Sequence, residues 1–370
     1  MRHFSATLAL LLFTTLAHTE DSEGFRPLFN GKDLTGWVVV NTAPSTWKFT
    51  DDGTLVCSGK PVGEIRTGRM YQNFILELEW RHLVPKGNAG VFAWADDISA
   101  RGQPFIKGIE IQVLENAYGN AASHTTHGDI FPIHGSSMVP VNGRSGSRAF
   151  PIENRSKPSP EWNHYRIEGR DGEISLAVNG KVVTRGTECI PRKGYLCLES
   201  EGGVVEYRNV RIKELADTPI KPEHIAIADR GFRCLYNGVD LTGWNKGEGW
   251  KSRDWELVSG AGAAPLTTTE IFKGDIGFIV DVKLNEKSGT PNLSIRGTKI
   301  PIDPSGPHLE KTGSYNRIEG ILKGDTLFLK INGRDAGTFP GIPAEGSIGL
   351  LPDGPADWAN PYVRILSDQQ

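Results

Sequence analysis

The residues best suited to chemistry lie in one segment that is rich in histidine. His124, His127, Asp129 and His134 fall within 11 residues, in a chain that has nine histidines in all. An imidazole titrates near neutral pH and suits proton transfer or metal binding, and a carboxylate such as Asp129 can orient the ring or bind the same cation. The spacing matches no standard metal motif. We therefore predict that His127 or His134 is catalytic or binds a ligand, with solvated loop histidines as the alternative.

A carboxylate and an amide share one face of a strand that precedes this segment. Ile109, Ile111 and Val113 alternate with Glu110 and Gln112. The apolar set is expected to face a core, which leaves the polar pair on the opposite face. If that face is concave, it presents a surface suited to a sugar. A solvated convex face is the alternative.

A second strand shows the same alternation. Glu79 and Arg81 alternate with Leu78 and Trp80. These two charged side chains join the groove if their strand turns its polar face to the same side. We list both as candidate substrate-binding residues.

Further side chains could bind a sugar in such a groove. Asn88 lies in a glycine-containing turn, where the backbone can approach a ligand and the amide can donate to it. Trp94, Trp162, Phe131 and Tyr118 could stack on the C–H face of a pyranose, although aromatic residues also serve as core. We predict that Asn88, Trp94 and Trp162 bind substrate.

The elements that must position these residues are β-strands. Apolar residues recur with a period of two along most of the chain, and no stretch predicts a helix of three turns. Turn signals separate the runs, at Asp52-Gly53, Asp171-Gly172, Asn179-Gly180 and Asn332-Gly333. The pattern predicts an all-β fold of two antiparallel β-sandwiches rather than an α/β enzyme.

An internal duplication divides the chain. The segment Phe25–Trp37 matches Phe232–Trp244 at ten of 13 positions, an offset of 207 residues. Further along, the offset drops to 151 where Arg166 aligns with Arg317. The first copy therefore carries roughly 56 residues that the second lacks, and they include Glu110 and the histidines. We expect the functional site in the first copy alone.

The same pattern suggests the limits of each unit. Residues 1–17 resemble a signal peptide, with an apolar run too short to cross a membrane, so we expect an exported protein, periplasmic or secreted. Residues 24–215 would form the first sandwich, 216–229 a linker and 230–370 the second sandwich.

Composition excludes several classes of partner. Lys and Arg number 41 against 44 Asp and Glu, a net charge of −3, and no basic run stands out. We therefore expect no nucleic acid as partner. After the first residues no apolar run is long enough to span a membrane. The four cysteines show no paired metal spacing.

Seven segments follow one another in a distinctive order: Leu28–Trp37, Glu64–Thr67, Phe74–Arg81, Gly87–Phe92, Gly108–Asn116, Glu161–Asn163 and Val178–Gly180. Together they resemble the 3-keto-disaccharide hydrolase family, whose members have a concanavalin A-like or laminin-G-like jelly roll. The resemblance covers about residues 24–215. The second copy keeps only the opening segment and the Asn-Gly hairpin, so it resembles the family in fold alone.

The resemblance implies a carbohydrate substrate that is already oxidised at C3. A ketone there acidifies the C2 proton, so a base can remove it, the C1 oxygen can leave, and water can then add. By this resemblance His127 or Glu110 would be the base. Arg81, Gln112 or one divalent cation would lie at the enolate.

The acid that protonates the leaving oxygen would be Asp129 or His134.

Two other functions stay open. One is a carbohydrate-binding protein that uses the same groove without catalysis. The other is an ordinary glycosidase with two carboxylates, such as Glu110 with Glu79 or Asp129.

Overall fold

The computed structural model describes residues 23–118, 128–143, 146–303 and 306–366. Within these ranges the chain forms β-strands and two 3-10 helices, Pro44–Thr46 and Pro222–His224, and it contains no α-helix. None of the described segments is a helix long and apolar enough to cross a membrane. The predicted all-β fold is confirmed.

The strands between residues 26 and 214 form a first sandwich. They are β1 (Arg26–Pro27), β2 (Trp37–Val39), β3 (Trp47–Phe49), β4 (Leu55–Cys57), β5 (Gly63–Thr67), β6 (Phe74–His82), β7 (Gly90–Ala95), β8 (Gly108–Gln112), β9 (Ile130–Ile133), β10 (Ser137–Pro140), β11 (Asn163–Arg170), β12 (Glu173–Val178), β13 (Lys181–Ile190), β14 (Tyr195–Ser200) and β15 (Val205–Glu214). The larger sheet has the order β10-β13-β12-β11-β6-β15-β4-β3, with β1 paired to β15, and the smaller sheet has the order β2-β5-β14-β7-β8-β9. Every strand pairing in both sheets is antiparallel.

The core of the first sandwich lies between these two sheets. Leu78 and Trp80 of β6 pack there, together with Ile109 and Ile111 of β8. In these two strands the period-two alternation correctly predicted which side faces the core. It follows that Glu110 and Gln112 lie on the outer face of the smaller sheet.

The strands between residues 233 and 365 form a second sandwich. They are β16 (Arg233–Cys234), β17 (Trp250–Arg253), β18 (Glu256–Ser259), β19 (Leu266–Thr267), β20 (Phe272–Lys273), β21 (Ile276–Leu284), β22 (Asn292–Ile295), β23 (Thr298–Pro301), β24 (Tyr315–Lys323), β25 (Thr326–Ile331), β26 (Arg334–Phe339), β27 (Glu345–Gly346), β28 (Ile348–Leu351) and β29 (Ala356–Ile365). The larger sheet has the order β17-β18-β29-β21-β24-β25-β26, with β16 paired to β29, and the smaller has the order β19-β28-β22-β23. A separate apolar core fills this sandwich.

The segment between the two sandwiches packs on the first. The Ala226 N–H donates to the Lys193 carbonyl over 2.8 Å, and Asp229 forms an ion pair with the buried Arg66 at 2.8 Å. This segment, predicted as a linker, is therefore attached to the first sandwich along part of its length.

A third apolar cluster joins the two sandwiches. Ile279 and Tyr362 of the second sandwich pack against Phe92, Ile98 and Cys197 of the first. Phe92 and Cys197 lie on the outer face of the smaller sheet, beside Glu110 in register. The second sandwich thus covers part of the face that carries Glu110 and leaves the rest open.

Candidate active site

Three glutamates converge on the open part of this face. Glu110 lies on β8, and Glu199 lies on β14 with Glu201 just after that strand. Leu196 and Leu198 face the core, so the alternation turns both glutamates outward. Strand β7 lies between β8 and β14 and separates the two carboxylate rows.

Gly90 of β7 makes room between these carboxylates. A Cβ atom at this position would lie 2.8 Å from Glu199 Oε2 and 3.2 Å from Glu110 Oε1. Gly90 is not among the glycines with positive φ, so the backbone conformation does not require glycine here. The absence of a side chain at Gly90 therefore lets the Glu110 and Glu199 carboxylates lie close to the β7 backbone.

The three glutamates line a cavity of about 340 Å³, which is within the size range of small-molecule sites. Its lining combines acidic, amide, aromatic and basic side chains. They are Asn88, Gln103, Phe105, Glu110, Gln112, Leu114, Tyr118, Phe131, Ile133, His134, Arg148, Glu199 and Glu201.

The three glutamates hold protons more tightly than ordinary carboxylates. Burial, with a contribution from the Glu201 carboxylate, raises the pKa of Glu110 to about 8. Burial raises the pKa of Glu201 to about 7, against the opposing effect of a hydrogen bond from Asn88. Burial and the Glu110 carboxylate raise the pKa of Glu199 well above its usual value. All three carboxyl groups therefore keep their protons to a higher pH than an exposed glutamate does.

A chain of amides positions Glu201. Gln112 Nε2 donates to Asn88 Oδ1 at 2.9 Å and to the Ala89 carbonyl at 3.3 Å. Asn88 Nδ2 in turn donates to Glu201 Oε2. Both protons of the Gln112 amide are used within the protein, so this amide nitrogen orients Asn88.

A positive charge lies on the opposite side of Glu110. Arg148 Nη1 donates to the buried Asp129 Oδ2 at 2.9 Å, and its guanidinium carbon lies 3.4 Å from the centre of the Phe131 ring. The ion pair and the ring fix the guanidinium at the cavity wall. Asp129 does not line the cavity, so it orients Arg148 and does not reach a ligand there.

Of the predicted histidines, His134 lines the cavity. Its ring stacks on Phe105 with the two planes 20° apart and the centroids 6.5 Å apart. His127 and His124 lie outside the residues that the structure describes.

The prediction that Glu79, Arg81 and Trp162 share the groove with Glu110 is wrong in its geometry. Strand β6, which carries Glu79 and Arg81, is in the larger sheet, and its neighbours are β11 and β15. Both side chains point away from the core on the far side of the sandwich. Trp162 lies there too, with Arg81 4.5 Å above its ring.

Trp94, which was also predicted to bind sugar, lies in the core instead. It is 0% exposed, its indole N–H donates to the Gln72 carbonyl at 2.9 Å, and its ring packs against Phe74. The backbone of Trp94 has a positive φ of 54°, and the pairing of β7 with β14 changes register nearby. This bulge turns the side chain into the core, although strict alternation would place it outside with Phe92.

A larger hollow of about 650 Å³ lies on the outer face of the larger sheet. Its acidic residues are ion-paired: Glu77 contacts Arg166 and Arg211, and Glu79 contacts Arg208. The Arg211 and Arg166 guanidinium groups hold the pKa of Glu77 below its usual value. This is the arrangement of a solvated charged surface, and the cavity at Glu110 is the stronger candidate site.

A family model described as a 3-keto-alpha-glucoside-1,2-lyase-like domain matches residues 24–213, slightly more than half of the chain. The chain belongs to this family. The match spans the first sandwich and includes all the residues of the cavity at Glu110.

The chain is also similar to individual proteins. A 3-keto-disaccharide hydrolase of Bacteroides thetaiotaomicron is 22% identical, over 57% of this chain and 86% of the relative. A solved structure of a putative glycosyl hydrolase from Parabacteroides distasonis is 24% identical with a TM-score of 0.42, over 53% of this chain and 95% of that one. The carbohydrate-binding module CBM66 from Bacillus subtilis is 13% identical with a TM-score of 0.33, over 48% and 96% respectively.

The sequence pattern predicted only some of the residues that line this cavity. Glu110, Asn88, Gln112 and His134 line the cavity as predicted candidates, whereas Glu199, Glu201 and Arg148 had not been singled out. A signal for the two glutamates was present, because Leu196 and Leu198 alternate with Glu199. No comparable signal marks Arg148.

The predicted divalent cation has no cluster of ligands in the part of the chain that the structure describes. No group of three or more His, Cys, Asp or Glu side chains among them is arranged to hold an ion. The divalent cation therefore stays a prediction, and the steps proposed below do not use it.

Proposed function

We propose that this family member cleaves glycosides that carry a ketone at C3 of the sugar, by removing the C2 proton, eliminating the C1 oxygen and adding water. One observation carries the proposal. Three glutamates line one cavity beside the Arg148 guanidinium, and burial raises the pKa of Glu110 to about 8 and that of Glu201 to about 7. Such values suit a general acid and a general base that act together at neutral pH.

Glu201 is the better base. Its pKa of about 7 is below the value of about 8 for Glu110, and the Asn88 amide, which donates to the Glu201 carboxylate, lowers it. The ionised Glu201 takes the C2 proton, and the electron pair moves into the C2–C3 bond to form an enolate. Arg148, held by Asp129 and Phe131, supplies positive charge for the oxygen at C3.

Glu110 is the better acid. With a pKa of about 8 its carboxyl is protonated at neutral pH. As the C1–O bond breaks and a C1–C2 double bond forms, Glu110 gives its proton to the leaving oxygen. The proton on Glu201 exchanges with solvent before Glu201 protonates C2, and water adds to C1 and returns a proton to Glu110. The net reaction is hydrolysis, and both glutamates regain their starting states.

The test is turnover of a 3-keto-glucoside in deuterium oxide. We expect product with deuterium at C2, and Glu201→Gln should lower turnover by about 10²–10⁴-fold because it removes the base. Glu206→Gln is the matched control, since Glu206 pairs with Arg81 on the outer face of the other sheet. An enzyme-free incubation measures spontaneous exchange.

Two outcomes would contradict the proposal. Cleavage of unoxidised glycosides without deuterium at C2 would favour an ordinary two-carboxylate glycosidase. Binding of the sugar without any turnover would favour a carbohydrate-binding protein.

We further propose that the protein is exported after removal of residues 1–17. The support is the short apolar run at the start of the chain, a segment that the structure does not describe. N-terminal sequencing of the protein recovered from cells should begin at His18. A chain that still begins at Met1 would contradict this.

A further inference from the structure

One wall of the cavity is formed by the loop between β7 and β8, residues 96–107, referred to as the 96–107 loop. It contributes Gln103 and Phe105 to the lining. The Phe105 ring lies 6.3 Å from the Phe92 ring, centroid to centroid. The loop also buries Glu64, whose carboxylate accepts from the Ile106 N–H at 3.3 Å.

The second sandwich holds the backbone of this loop. Asp281 Oδ2 accepts from the Gly102 N–H at 2.8 Å. Arg317 Nη2 donates to the Ser99 carbonyl at 2.9 Å. The Ser99 hydroxyl also bonds to the Tyr362 hydroxyl at 2.9 Å. The second sandwich makes these contacts with side chains, whereas the loop makes them mostly with backbone atoms.

Asn360 holds the loop at two further points. Its Nδ2 atom donates to the carbonyls of Ala100 and Gln103, at 3.1 and 3.0 Å, and to Asp281 Oδ2 at 2.8 Å. Asp281, Arg317 and Asn360 therefore form one connected group, named here the Asp281 cluster. Asp281 is 0% exposed and is balanced by two bonds from Arg317.

The first sandwich contains a counterpart of Asn360, which is Asn209, that does not contact the 96–107 loop. Asn209 and Asn360 both have a φ of 52°, and each lies at a register shift in a long strand next to the central one. Asn209 is exposed at the outer hollow of its sheet. The same local geometry therefore occurs once in contact with the 96–107 loop and once without such a contact.

We propose that the second sandwich is a positioning element for the active site, and that the Asp281 cluster holds the 96–107 loop in the shape that lets Gln103 and Phe105 contact the sugar. The proposal assigns the second sandwich a role in substrate affinity, although it supplies no catalytic residue. It rests on the proposed function for the nature of the ligand, a 3-keto-glycoside.

The test compares Asn360→Gly with Asn209→Gly. Glycine accepts the positive φ at both positions, so the two substitutions are matched in backbone effect and differ in the loop contacts. We expect Asn360→Gly to raise KM for the 3-keto-glycoside about tenfold with kcat nearly unchanged, because the lost interactions bind substrate and transition state alike. Asn209→Gly should leave both constants unchanged.

Hydrogen exchange provides a readout that does not depend on turnover. Asn360→Gly should raise exchange at the amides of residues 96–107 about tenfold, while β21 stays protected. If the Asn360→Gly protein also loses protection in β21, Gln103→Ala replaces it as the test. The Gln103 side chain is exposed, so this variant should fold and still raise KM.

The outcomes separate this inference from the proposed function. Unchanged exchange in the loop, or unchanged KM in both Asn360→Gly and Gln103→Ala, would overturn the positioning role even if the wild type turns over the 3-keto-glycoside. Absence of turnover in the wild type would overturn the proposed function, and the exchange comparison would then decide on its own whether Asn360 holds the loop.

Discussion

At the scale of single residues, proton affinity separates the tasks of Glu110 and Glu201. Catalysis needs Glu201 ionised and Glu110 protonated, and their pKa values are about 7 and about 8. We expect kcat/KM to fall below pH ~7 and again above pH ~8, which gives a narrow bell. A pH–rate profile from pH 5 to 9.5 measures this. A profile that stays flat through pH 9 would exclude Glu110 as the acid.

The raised pKa of Glu110 also affects folding. The unfolded chain releases this proton near the usual value of 4.5, whereas the folded protein keeps it until about pH 8. The folded state therefore binds more protons in this window, and the free energy of unfolding decreases as pH rises through it. Glu110→Gln removes the effect, so the variant should gain stability over the wild type by a few kcal/mol between pH 5 and 8.

Denaturant melts of both proteins at pH 5 and pH 8 provide the measurement. Glu206→Gln serves as the control, since Glu206 lies on the other sheet and pairs with Arg81. A stability gain of Glu110→Gln that is the same at both pH values would show that burial does not raise the pKa of Glu110.

Sequence patterns were most informative for single strands. Alternation correctly placed Ile109 and Ile111 in the core and hence Glu110 on the opposite face. It could not show that Arg148 reaches the same cavity, because Arg148 comes from a connecting segment without periodicity. Side-chain direction is local information, whereas convergence of distant segments depends on the tertiary fold.

At the scale of elements, strand β7 determines how closely the Glu110 and Glu199 carboxylates can approach its backbone. A methyl group at Gly90 would contact the Glu199 carboxylate at 2.8 Å and the Glu110 carboxylate at 3.2 Å. Gly90→Ala should therefore reduce activity by at least tenfold while the protein stays folded, because φ at this position suits any residue. Steady-state kinetics and a thermal melt together measure this. Full activity would show that turnover does not depend on the positions of these two carboxylates.

Alternation along a strand does not show which other strands lie beside it in the sheet. Glu79 and Glu110 lie on strands with the same pattern, yet β6 is central in the larger sheet and β8 belongs to the smaller one. In a sandwich both sheets have an inner and an outer face, so equal patterns occur on opposite sides of the molecule. The prediction for Trp94 is wrong for a different reason, because a bulge reverses the direction of its side chain.

At the scale of the whole molecule, the second sandwich changes the environment of the first. Ile279 and Tyr362 cover Phe92 and Cys197 on the face that carries Glu110. Sequence repeats predicted a second sandwich without a site of its own. They could not predict that it packs on the functional face, because contacts between two folded units leave no periodic signal in either one.

The same interface should make the two sandwiches unfold together. Asp281 is fully buried and accepts from Arg317, Asn360 and the Gly102 N–H of the first sandwich. Asp281→Ala leaves the Arg317 charge without its buried partner, which should cost about 3–5 kcal/mol. We expect calorimetry to show one transition for the wild type and two for this variant. Asp335→Ala is the control, since the Asp335 side chain is 93% exposed and its contact with Lys330 is 3.9 Å long, a surface pair that adds little. Two transitions already in the wild type would mean that the contacts around Asp281 are too weak to couple the sandwiches, and the 96–107 loop would then have to keep its shape without them.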